Sequence, residues 1–90
     1  IIQGEKRVIS SMLVQGQAEI IEVVATPGMM MVGDTLKNLK LPKGVLIASI
    51  YRQGEVIIPN GDARIKNGDR VIIFSLLSDI ADLEKLMKSR

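Results

Sequence analysis

Val32–Phe74 reads VGDTLKNLKLPKGVLIASIYRQGEVIIPNGDARIKNGDRVIIF, and its punctuation decides the fold. Gly33-Asp34-Thr35 opens a helical pattern, because Asp and Thr are good N-terminal residues and Leu36, Leu39 and Lys40 then share one face. Pro42 cannot continue a helix and pushes Leu41 out of helical geometry, so a helix is expected over Asp34–Lys40 and no further. At about two turns it needs packing to be stable. Val45–Arg52 (VLIASIYR) is apolar at consecutive positions, the mark of a strand covered on both faces, by sheet packing on one and a helix or second subunit on the other. Gln53-Gly54 makes a tight turn into Glu55–Pro59. Asn60-Gly61-Asp62 and Asn67-Gly68-Asp69 are near-identical turns, and the second feeds a last strand over Arg70–Leu77.

Outward from this stretch the pattern stays mostly β. Arg7–Val14 and Ala18–Thr26 are β-branched runs around Gln15-Gly16-Gln17, which reads as a hairpin. Glu19 and Glu22 lie an odd number of residues apart, so they point to opposite faces, and one faces the packed side unless the strand is an edge. Met29-Met30-Met31 reads first as gap-filling side chains under a loop, and second as an adaptable contact surface. Ser78 is the expected cap of a closing helix over Asp79–Lys88, with Ile80, Leu83, Leu86 and Met87 as its apolar stripe. The expected fold is α+β: a small, mostly antiparallel β sheet with two flanking helices, assembled as a dimer.

The dimer follows from composition. Ninety residues make one small domain, yet 47% are hydrophobic and mean hydropathy is +0.25. A chain of this size with surplus aliphatic surface hides it against a copy of itself. No run approaches the roughly 20 apolar residues of a membrane span, so direct membrane insertion is not expected. The opening Ile1 has no initiator Met or basic leader before it and reads as the start of a piece cut from a longer protein. Zero Cys excludes disulfides and thiolate chemistry and fits a cytosolic setting. The 12 basic and 10 acidic residues form no basic stripe, and one Tyr and one Phe offer little base stacking, which argues against nucleic acid.

Catalysis finds little support. There is no His or Cys, so the usual general base, nucleophile and zinc ligands are missing. Asp62 and Asp69 are the only local acidic pair, and each follows an Asn-Gly turn where Asp commonly accepts backbone hydrogen bonds. No Glu follows at the spacing a calcium loop needs, and no Gly-rich phosphate loop occurs. No metal and no nucleotide bound in the Rossmann manner are therefore expected in this lobe, and the chain reads as a non-enzyme.

Ile21-Glu22-Val23, Gly33-Asp34-Thr35-Leu36, Ile50-Tyr51-Arg52-Gln53-Gly54, Pro59 and Gly68-Asp69 stand as five features in one register. Together they resemble the RCK/TrkA C-terminal domain family, the regulatory lobes of potassium channels and of Trk/Ktr-type potassium uptake systems. The match covers about residues 4 to 88, with residues 1–5 as the end of a connection and 6–90 as the lobe itself. The resemblance implies a cytoplasmic, ligand-sensing and dimerising domain. It would act beside an N-terminal Rossmann-type lobe, where nucleotide is expected, and a membrane potassium transporter or channel subunit at the inner face of the membrane. A purely structural dimerisation lobe of an ion or organic-anion transporter is the alternative. Some relatives hold cyclic di-AMP between two such lobes. The corresponding positions here are Leu36, Leu41, Pro42, Lys43, Leu46, Ile47 and Pro59. Where those relatives place Arg, this chain has Pro42 followed by Lys43, and Lys lacks the planar fork that Arg gives a phosphate. Tight binding of cyclic di-AMP is therefore not expected.

Overall fold

The computed structural model describes residues 7–90; the connection read over residues 1–5 lies outside them. Five strands form one sheet: β1 (Val8–Val14), β2 (Ala18–Val24), β3 (Val45–Arg52), β4 (Glu55–Ile57) and β5 (Arg70–Leu76). Their order is β1-β2-β5-β3-β4, and every neighbouring pair is antiparallel. The hairpins expected around Gln15-Gly16 and Gln53-Gly54 are present. All four turn residues have φ between 49° and 84°, the left-handed region that tight hairpin turns require.

Alternation along the strands sorts the side chains. Ile21 and Val23 of β2, Val71 and Ile73 of β5, and Ile47 and Ile50 of β3 are buried on one face. Ile47 and Ile50 differ by an odd number, and a register shift between Ile47 and Ser49 absorbs the extra residue, so Ile47 stays opposite Ile73 and Ile50 opposite Val71. The bulge keeps Ile50 on the core face with Ile47, and on the other face Leu46 (61% exposed) and Tyr51 stay open among the described residues. Met29, Met31, Leu36 and Ile65 from the connecting segments close over the buried face, together with Ile80, Leu83 and Met87 of the helix α1 (Ile80–Met87). The gap-filling reading holds for Met29 and Met31, which lie in the core, while Met30 is exposed. Glu19 is the glutamate on the packed side, and Glu22 lies on the other face, 3.9 Å from Arg70.

The helix expected over Asp34–Lys40 is a correction. The chain makes a hydrogen-bonded turn at residues 36–40, with the Leu39 amide on the Thr35 carbonyl at 3.1 Å. The amides before it are held laterally: Leu36 N donates to Ala63 O at 2.9 Å, Lys37 N to Gly61 O at 3.0 Å, and Thr35 bridges Arg64. Lys40 then turns to φ 52° just before Leu41-Pro42, so helical geometry ends before a second turn forms. The closing helix is present but later than expected, after a 3-10 turn at Leu77–Asp79, and Ser78 makes no capping bond. Asp79 does not cap it either. Its carboxylate lies against Gly44, where a Cβ would collide with it and come within 2.9 Å of Leu76. Glycine is the residue that lets this strap cross the start of β3.

Candidate functional site

Two recesses lie at opposite ends of β3. At its start, an open groove of about 260 Å3 is lined by Leu36, Lys37, Leu41, Val45, Leu46, Ile47, Pro59, Asn60 and Gly61. Its floor exists because three connections meet there. The 36–40 turn presents Leu36, the path around Pro42 swings Leu41 inward, and the chain leaving β4 brings Pro59 and Asn60 back across the sheet. The Lys37 amide bond to Gly61 ties two of these walls together.

Five of the seven positions singled out from sequence converge on this groove: Leu36, Leu41, Leu46, Ile47 and Pro59. Pro42 and Lys43 do not line it, and Lys43 is exposed. The cation on the wall is Lys37, which the sequence reading did not single out. Its Nζ lies 2.7 Å from Asp62 Oδ1, with both side chains well exposed. Sequence alone gave no signal for this pair, because Lys37 and Asp62 are 25 residues apart. Chemically the groove offers apolar walls, one amide side chain and a cation whose charge is already balanced. Among the described residues no group of three or more His, Cys, Asp and Glu is placed to hold a metal ion.

The recess at the far end of β3, about 270 Å3, is lined by Arg52, Gln53, Lys66, Asn67, Gly68 and Asp69. Here the Arg52 and Asp69 side chains are spent on each other and on nearby backbone, with Gln53, Lys66 and Asn67 around them. Asp69 has a side chain only 2% exposed and takes Arg52 through both Nε (2.9 Å) and Nη2 (2.7 Å). It also accepts the Lys66 amide at 2.8 Å, while Arg52 Nη2 reaches the Arg64 carbonyl at 2.9 Å. Burial alone would push the Asp69 carboxyl up. The Arg52 hydrogen bonds, the Lys66 amide and the two positive charges outweigh it and hold the carboxyl below its ordinary value. Asp69 raises Arg52 further in turn. The turn-forming role read for this aspartate is the one seen, with a buried ion pair added. Asp62 plays no such part in its own turn: there Asn60 Oδ1 accepts the Asp62 amide at 2.9 Å.

With this geometry in view, the comparisons with known proteins are consistent. The TrkA-C domain model matches residues 20–88, and the chain belongs to this family. It is 43% identical over 87 residues to the Trk system potassium uptake protein TrkA homolog 2 of Methanosarcina mazei, covering 97% of this chain and 17% of that protein. It is 36% identical over 86 residues to the Trk system potassium uptake protein TrkA of Azorhizobium caulinodans, covering 96% of this chain and 19% of that one. The chain thus spans less than a fifth of the length of these two curated relatives. Among solved structures, one described as "Structure of RCK domain with cda" superposes with a TM-score of 0.59 at 21% identity, over 77% of this chain and 97% of that one. That likeness is one of fold. No helix among the described residues is long and apolar enough to cross a membrane.

Proposed function

We propose that this chain is the C-terminal regulatory lobe of a potassium uptake system of the Trk type. In this reading it works at the cytoplasmic face, beside a nucleotide-binding Rossmann-type lobe and a membrane subunit, and it senses a ligand in the groove at the start of β3. The observation that supports this most directly is the convergence of Leu36, Leu41, Leu46, Ile47 and Pro59 on one open apolar recess. Concave, apolar walls with few polar groups are the usual form of a small-molecule site. Leu46 is 61% exposed at the groove's mouth, and a second copy of the lobe meeting there would close the groove from above. The lobe itself performs no catalysis.

A purely structural dimerisation lobe is the second reading, favoured by the neutralised cation, since Lys37 is already paired with Asp62. Cyclic di-AMP carries two phosphates, and this groove presents no free guanidinium fork to them, so we expect no tight binding. A thermal-shift screen of nucleotides and divalent cations separates the two readings, because a ligand that binds only the folded state raises its stability. A rise that is lost in Ile47→Ala supports ligand sensing. A screen with no response, together with a dimer by light scattering, leaves the structural reading.

A further inference from the structure

The two edges of the sheet are treated very differently. β4 is blunt: three residues long, opening on Glu55 and closed off by Pro59 two residues after its end. β1 is not. It runs seven residues, VISSMLV, without a charge or a proline, and its five central residues are exposed. Ile9, Met12 and Leu13 stand 47%, 59% and 48% exposed. The bulge at Ile9, where the register with β2 shifts between Val8 and Ser10, sets that side chain out of phase with the neighbouring strand. Among the described residues no backbone group pairs with the outer edge of β1. An uncharged, proline-free edge is a template for another strand. Apart from the bulge at its start, β1 carries no charge and no proline and is not short.

We propose that β1 pairs with β1 of a second copy, antiparallel about a twofold axis at Ser11. The sequence itself selects this occupant. Reflected about Ser11, VISSMLV sets Val8 opposite Val14, Ile9 opposite Leu13 and Ser10 opposite Met12. Two of the paired positions, Val8 with Val14 and Ile9 with Leu13, are apolar on both sides, Met12 meets the short Ser10 side chain, and no charge meets its own copy. An isologous contact requires this kind of self-complementarity. The twofold would join the two five-stranded sheets into one ten-stranded sheet. This surface lies at the opposite edge of the sheet from the groove and stands without the ligand-sensing reading. If both surfaces are used, the chain has two twofold contacts and assembles beyond a dimer.

The chain has no cysteine, so single replacements report contacts cleanly. Across an antiparallel pair, residues directly opposite lie about 4.5 to 5.5 Å apart at Cα, within disulfide range. Oxidation of Ser11→Cys should give mostly cross-linked dimer, at least about tenfold faster than Ser78→Cys, an exposed control outside the β1 edge. Ser10→Cys alone should lag, because its copy sits two positions away, beyond the roughly 7 Å limit. Ser10→Cys mixed with Met12→Cys should cross-link to each other. The Ser11→Cys product should persist in a Leu46→Asp background, where a groove-side contact is lost. The pairing is overturned if Ser11→Cys links no faster than Ser78→Cys, if Ser10→Cys alone links equally fast, or if the link vanishes with Leu46→Asp. A silent thermal-shift screen would remove the sensing reading and leave this result untouched.

Discussion

Two recesses of almost equal volume, about 260 and about 270 Å3, sit at the two ends of β3, and they spend their chemistry in opposite ways. At the Arg52 end, a buried carboxylate collects a guanidinium fork and a backbone amide. At the Leu46 end, aliphatic side chains face open space and the one cation is paired at the rim. Saturated polar groups inside a fold bind its segments together and leave nothing for a ligand. Unsatisfied apolar surface has the reverse character and is where a partner or ligand gains most. The Arg52 end is therefore the lobe's fastening, and the Leu46 end is the surface we propose as its working one.

The largest test of that division is Arg52→Ala. Removing the guanidinium strands Asp69, whose side chain is 2% exposed, and breaking a pair of this kind costs about 3 kcal/mol or more. Urea unfolding should show the loss. Arg52→Lys should recover only a minor part, because an ammonium cannot make the two-pronged contact. A loss below about 1 kcal/mol would mean that the pair is ornamental and that the contrast between the ends is wrong.

Leu46→Asp should do the opposite. Leu46 is mostly exposed, so the change should shift monomer stability by only about 0.5 kcal/mol. It should abolish association through the groove side, read by light scattering at micromolar concentration, because a carboxylate in an aliphatic contact is costly. Unfolding by this substitution would place Leu46 in a core and erase the distinction.

Acid sharpens the contrast without mutation. Asp69 has a lowered carboxyl in the folded chain, and an unfolded Asp titrates near 3.9. The unfolded state therefore takes up its proton first as pH falls. The stabilisation is fully present above about pH 4 and is lost as pH drops through the folded value. Asp69→Asn should start lower at neutral pH and lose less on acidification, measured by urea midpoints between about pH 5 and 2.

What the sequence disclosed follows the same division. The strands, both hairpins and the closing helix were legible because their signals are local: alternation, Gly turns, a helical stripe. Five groove positions were legible because the resemblance carried them in register. Two features were hidden for physical reasons. The Asp34–Lys40 helix failed because the 60–64 segment pairs with the amides of Leu36 and Lys37, a contact across more than 20 residues that no local pattern reveals. Arg52 and Gly68-Asp69 were both quoted as motif residues, yet their pairing appeared only in three dimensions.

The smallest expected effect lies at the groove rim. The Lys37 and Asp62 side chains are 62% and 77% exposed, and pairs of that kind contribute roughly 0–1 kcal/mol, less in salt. Asp62→Asn should therefore leave the unfolding midpoint nearly unchanged. It should still alter the groove, because Lys37 then stands as an unbalanced cation on a wall shared with Leu36, Leu41 and Pro59. Titration calorimetry with cyclic di-AMP should find binding no tighter than the high micromolar range in the parent chain, and a several-fold gain in Asp62→Asn that 0.5 M salt removes. Low-micromolar binding by the parent would mean that the pair opens readily and that the rim is built to receive phosphate. No gain in the variant would mean that Lys37 faces solvent and not the groove, and the structural reading of this end would then be the better one.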